Sequence, residues 1–138
     1  MTFKLNHDKI TCNNMNMIKE ISTTETEYGH QTKIFKVLTH PARLAILEIL
    51  RDGEHCVCHM EAWLGYRQAY ISQQLSVLRQ AGLISDRRDG WNIFYRVTDE
   101  RIYLVLDQMR SITGQPEPDE RKPVTQCNCP KCGSECKD

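Results

Sequence analysis

Two thiols and two imidazoles fall within one short stretch, GEHCVCHMEAWLG at residues 53–65, as His55, Cys56, Cys58 and His59. Thiolates select soft or borderline ions such as arsenite, antimonite, cadmium, lead, mercury and zinc. In a regular helix, residues two apart diverge by about 200° around the axis. Cys56 and Cys58 can therefore share an ion only if the helix start is unwound or the pair lies in the extended residues before it. The pair supplies two sulfurs, so Cys12 or a C-terminal cysteine must complete the set. The other reading of the pair is as small buried hydrophobes. His55 and His59, four apart with Cys58 between them, could share one helical face as a His/Cys zinc site, but the better reading is as surface residues or outer partners of the thiols.

The C-terminal stretch CNCPKCGSECKD carries Cys127, Cys129, Cys132 and Cys136. Its CPKCG portion resembles half a zinc ribbon, and such spacing closes a tetrahedral four-cysteine zinc site. We read it as an accessory site, with delivery of a third sulfur to Cys56 and Cys58 as the alternative. The N-terminus MTFKLNHDKI has no apolar run of signal-peptide type, and no stretch approaches the ~18 apolar residues of a membrane span. A cytoplasmic location without a membrane partner is expected, where thiols stay reduced and serve metal or redox chemistry. No nucleophile–base constellation or phosphate loop stands out, so an enzyme is not expected. A thioredoxin-like reading of Cys129–Cys132 lacks the strand and helix it requires.

The elements that must position the thiols follow from periodicity. Residues 1–30 are polar and read as a flexible arm. Residues 31–113 read as one folded domain, and 114–138 as a polar, Pro-rich linker and Cys-rich tail. Ile34, Phe35 and Leu38 have helical spacing. A second helix follows in THPARLAILEILRDG, capped near Thr39 or His40, with Pro41 in its first turn and Leu44, Leu47 and Leu50 as its buried stripe. Val57, Met60 and Leu64 give a short third helix ending at Gly65. A fourth runs from about Gln68 to Ala81, with Ile71, Leu75 and Leu78 inward. LISDRR and WNIFYRV flank Asp89-Gly90, a hairpin signal. A last helix begins near Asp99, with Ile102, Val105, Leu106 and Met109 as its stripe. The pattern is mainly α with a β-hairpin, a winged helix-turn-helix. First and last helices are expected to form a homodimer core.

Net charge is zero, with 18 basic and 18 acidic residues, but the segment from Arg67 to Arg96 holds five arginines against Asp86 and Asp89. Off the buried stripe of the fourth helix lie Gln68, Tyr70, Ser72, Gln73, Ser76 and Arg79, side chains able to read base edges or bind phosphate. Arg67 precedes them. Arg87 and Arg88 sit where a wing meets the DNA backbone.

From Lys33 to Asp107 the strings HPARLAILEIL, GEHCVCHMEAWLG, SQQLSVLRQAGLI and DRRDGWNIFYRV resemble, in order, the blocks of the ArsR/SmtB family of metal-sensing bacterial repressors. The resemblance implies a homodimer that grips double-stranded operator DNA without metal and releases it when metal binds. GEHCVCHM is similar to the ELCVCDL box of the arsenite and cadmium/lead branches, whose two metal-binding cysteines match Cys56 and Cys58. His55 stands where that box has Leu, and His59 where it has an acidic residue. Cys12 is the one candidate for an N-terminal arm ligand. The zinc site some relatives carry on the last helix is not expected: Asp99 matches, but Arg101, Ile112 and Gln115 hold the other positions. Gln73-Gln74 replace a common Arg-His pair, and Arg67 a usual Ser cap. The expected function is a metal(loid)-responsive repressor. The rivals are a thiol-based redox-sensing repressor of the same fold and a metal-sequestering protein.

Overall fold

The computed structural model describes residues 27–116. The chain divides into two units, Met1–Phe35 and Lys36–Asp138. Helix α1 occupies residues 27–38, so it already includes the end of the stretch read as an arm.

In the second unit, α2 spans Pro41–Ile49, with proline at its start, where its missing N–H costs nothing. The extended His40 caps it through its carbonyl, which accepts from the amides of Arg43 and Leu44 at 3.1 and 3.3 Å. A tight turn at Leu50–Asp52 leads to the two-residue strand β1, His55–Cys56. Helix α3 (Val57–Leu64) and helix α4 (Gln68–Gln80) form the helix-turn-helix. Strands β2 (Ile84–Asp89) and β3 (Asn92–Val97) form the wing, and α5 spans Ile102–Thr113. The sheet is antiparallel in the order β1-β3-β2. The architecture is thus mainly helical with a small three-stranded sheet, a winged helix-turn-helix.

The core is the meeting of α2, α3 and α4. Ile46, Leu47, Met60, Ile71, Leu75 and Leu78 are fully buried there. Leu44 departs from the expected stripe: it is exposed, and Ala42, Ile46 and Ile49 carry that side of α2 beside Leu47 and Leu50. The sequence pattern of α2 is apolar on most sides, so periodicity alone does not choose among its leucines.

Helix α4 ends in a Schellman arrangement. Gly82 takes φ +77°, and the amide of Leu83 donates to the carbonyl of Leu78 at 3.1 Å. Leu83 and Ile84 are buried, so the chain turns directly from α4 into the wing. The hairpin pairs Asp89 with Asn92, which makes Gly90-Trp91 the loop, not Asp89-Gly90. Gly90 has φ +61° and Trp91 a negative φ, the pattern of a turn with glycine first. Helix α5 begins at Ile102, not near Asp99. The Asp99 carboxylate accepts from the Arg101 amide at 2.9 Å and so forms the turn before the helix.

Candidate thiol pair and nucleic-acid interface

Cys56 is the last residue of β1 and the N-cap of α3, in extended conformation, while Cys58 lies in the first turn of that helix. The pair therefore straddles the boundary between extended chain and helix, which is neither an unwound helix start nor a pair lying wholly in the extended residues before it. Their depths differ. Cys56 is 2% exposed and pairs across the sheet with Phe94, whereas Cys58 is exposed. Among the described residues, no group of three or more His, Cys, Asp and Glu is arranged to hold a metal ion. The donor chemistry of the two thiols fits a soft ion, but the described residues do not complete a site. Cys12, Cys127, Cys129, Cys132 and Cys136 lie outside the described residues.

His55 and His59 stack with ring centroids 4.2 Å apart and planes 9° from parallel. Trp63 continues the row, 5.9 Å from His59. His59 Nδ1 is buried with no hydrogen-bond partner, and burial pushes this imidazole below the ordinary histidine range, favouring its neutral form. Both histidines are half-buried, His55 in β1 and His59 in α3.

β1 ties the thiols to the wing. His55 pairs with Tyr95 and Cys56 with Phe94 on β3. Beside them Arg87 reaches Glu54 at 2.8 Å and Asp89 at 3.4 Å, and lies over the Phe94 ring at 5.2 Å. The guanidinium holds the Glu54 carboxyl below the usual carboxylate range. Arg87 is thus committed within the protein, while Arg88 is exposed and makes no ion pair among the described residues.

On α4, Arg67 is the N-cap, without a side-chain capping bond, and it is exposed together with Gln68. Ser72, Gln73 and Ser76 share an exposed stripe. Arg79 is exposed but pairs with Asp86 at 3.1 Å, which ties the end of α4 to the wing. Tyr70 is half-buried: its hydroxyl lies 3.4 Å from His40 Nε2, and its ring meets Tyr66 edge-on. Gln74, in contrast, is only 8% exposed and accepts a hydrogen bond from Arg43 Nε at 2.9 Å. Arg43 also donates to the Val37 carbonyl at 2.9 Å. The spacing of Gln74 with Ile71 and Leu78 puts it on the inward stripe, but sequence reasoning missed the strut because its partner, Arg43, lies 31 residues away.

A helix-turn-helix with a polar face on its second helix, followed by a two-stranded wing, defines the winged helix-turn-helix class of DNA-binding domain. Residues 40–86 match the family model described as "Bacterial regulatory protein, arsR family". The chain is 40% identical over 84 residues to the Biofilm growth-associated repressor of Agrobacterium fabrum, covering 61% of this chain and 72% of that one. It is similar to the crystal structure of Rv0081 of Mycobacterium tuberculosis, at 35% identity and TM-score 0.58, over 63% of this chain and 88% of the other. A solution structure from Mycobacterium bovis, described as a homodimeric winged helix-turn-helix DNA-binding domain, shares the fold: TM-score 0.60, 24% identity, 66% and 84% coverage. The chain belongs to the arsR family of bacterial regulatory proteins.

Proposed function

We propose that the protein is a transcriptional repressor that binds operator DNA as a homodimer. Release follows when Cys56 and Cys58 ligate arsenite, antimonite or a soft divalent ion such as cadmium, lead or zinc. The observation that carries this reading is the position of Cys56, at once paired with the wing strand β3 and capping α3. A buried thiol and an exposed thiol must move relative to one another to share a ligand. That movement acts on the β1–β3 pairing on one side and on the start of α3 on the other. α3 packs on α4 within the core, so a shift at the thiols reorients the helix offered to the major groove. A further thiolate from Cys12 or the tail completes a three- or four-sulfur set.

In this reading Gln68, Ser72, Gln73 and Ser76 face base edges, and Arg67 and Arg88 meet phosphates. Tyr70, Arg79 and Arg87 act chiefly by holding α4 and the wing in place, since each already has a partner in the protein.

The test is fluorescence anisotropy of the protein on DNA from upstream of its own gene, anaerobically, titrating arsenite, cadmium, lead and zinc separately. Release by one ion, lost in the Cys56→Ser/Cys58→Ser protein, is the expected result. Truncation at Gly114 reports whether the tail contributes. Release by mild oxidant alone, reversed by reductant, assigns the same thiols to redox sensing. Tight multi-ion binding without any change in DNA affinity assigns the protein to metal sequestration.

A further inference from the structure

At the far end of the wing, Trp91 is fully exposed. It is the second residue of the two-residue loop, after Gly90 at φ +61°, and the Asp89–Asn92 pair closes the hairpin directly behind it. The backbone there has no slack, so the indole is presented on a short, hydrogen-bonded stem. Among the described residues the ring has no aromatic neighbour and no guanidinium over it. A tryptophan side chain is among the largest apolar surfaces a residue can bury, and here all of it is left in water.

The charges around it are unequal in their availability. Arg87 is neutralised by Glu54 and Asp89, so that part of the wing offers little net field. Arg88 is exposed and uncommitted among the described residues. The Arg79–Asp86 pair fixes the base of the hairpin against the end of α4, so the wing projects beside the helix with the polar stripe.

We propose that Trp91 is a wedge that enters the minor groove of duplex DNA next to the major-groove site of α4, with Arg88 on an adjoining phosphate. This rests on the DNA-binding reading above. The minor groove, ~6 Å wide, admits the edge of one planar ring. Apolar side chains inserted there partly unstack a base step, and an indole offers a stacking face that any base accepts. Trp91 thus adds affinity and DNA deformation without reading a sequence.

The chain has two tryptophans, so full-length Trp63→Phe protein leaves Trp91 as the sole indole. Its emission and acrylamide quenching are followed as the upstream duplex is added, with and without the minor-groove ligand distamycin. Anisotropy across a salt series then compares wild type, Trp91→Ala and Trp91→Arg. Because Trp91 is fully exposed, Trp91→Ala should melt like wild type. Bound DNA is expected to shield the indole from acrylamide, and distamycin to abolish that shielding. Trp91→Ala should weaken binding by about tenfold, as loss of one stacking contact does, with the salt slope unchanged. Trp91→Arg should steepen the slope by about 1, the signature of an added phosphate contact. Duplex binding that leaves Trp91 accessible and the Trp91→Ala affinity unchanged overturns the wedge and leaves the DNA reading standing. Shielding that rises with protein concentration in the absence of DNA also overturns it, in favour of a second copy of the chain. Failure of wild type to bind any part of the upstream duplex removes the DNA reading itself, and the wedge with it.

Discussion

Cys56 and Cys58 are chemically identical and physically unlike. Cys56 is 2% exposed in the strand that pairs with β3, and Cys58 faces solvent on α3. Replacing the buried sulfur by a hydroxyl puts a smaller, more polar group where the sulfur now packs. Cys56→Ser should therefore cost about 1–3 kcal/mol in urea unfolding, and Cys58→Ser less than about 0.5 kcal/mol. Equal losses for the two would show that the difference in depth does not hold in solution. The consequence for function is practical: loss of response in Cys58→Ser reports on ligand chemistry, whereas in Cys56→Ser it also reports on packing. The pair was legible in the sequence, from residue type and spacing. Its unequal burial was not, because that depends on Phe94, brought alongside only when β1 joins the sheet. Likewise Arg87 and Arg88 read alike in sequence, and the ion pairs of Arg87 with Glu54 and Asp89 separate the committed arginine from the available one.

At the scale of elements, α5 is clamped to α2 by charge and one buried hydroxyl. Arg51 reaches Asp107 at 2.7 Å and Glu48 at 3.1 Å, and Arg110 reaches Glu48 at 2.8 Å and Asp107 at 3.2 Å. Arg51 also lies 4.4 Å over the Tyr103 ring, whose hydroxyl donates to the Leu47 carbonyl at 3.0 Å. Tyr103→Phe should lose about 1 kcal/mol, a typical net value for one hydrogen bond, read from urea unfolding. The Arg51 guanidinium beside Asp107 holds its carboxyl below the usual range. The folded state then takes up this proton less readily than the unfolded chain. The pairing contributes stability above the unfolded value near ~3.9, and that contribution is lost as pH falls through the lower folded value. Asp107→Asn should be less stable than wild type at pH 7, and the gap should close below about pH 4. A constant gap across that range would mean the charge is not what Asp107 contributes. A second element-level coupling is the Arg43–Gln74 strut on α4. A double-mutant cycle between Arg43→Met and Gln74→Leu should give a coupling of roughly 0.5–3 kcal/mol, and an additive result would show the bond to be incidental. The helices, the hairpin and the helix-turn-helix were legible from period and punctuation. Three features were not. β1 is two residues long, below what alternation can mark. Leu44 sits on a helix apolar almost all round. The hairpin loop moved by one residue because Gly90 serves a two-residue turn equally well as its first or second position.

For the whole molecule, the expected stripe of α5 divides: Ile102 and Leu106 are half-buried, whereas Val105 and Met109 are exposed. Outside that stripe Tyr103 turns inward, and Leu104 (65% exposed) and Ile112 (77% exposed) lie open beside Val105 and Met109 in a single chain. Apolar side chains repeated along one helix in this way need a partner, and a second copy of the chain is the partner our reading requires. Two-fold pairing places two α4 helices about one DNA turn apart, ~34–36 Å, so each protomer contacts its own half-site. Leu104→Glu/Ile112→Glu places carboxylates on exposed positions, so the fold should survive with little loss of its own stability. In sedimentation velocity the variant should run as a monomer at concentrations where wild type is a dimer. Its DNA affinity should fall far more than its melting temperature. The salt dependence carries the sharper expectation. The slope of log K against log salt scales with the number of phosphates neutralised, at about −0.9 per contact. A monomer holding one half-site keeps half of those contacts, so its slope should drop to about half the wild-type value. A variant that stays dimeric with an unchanged slope would show that the open face of α5 is not where the two copies meet. A monomer that keeps the full slope would show that one protomer spans the whole site, and the half-site arrangement would have to be abandoned.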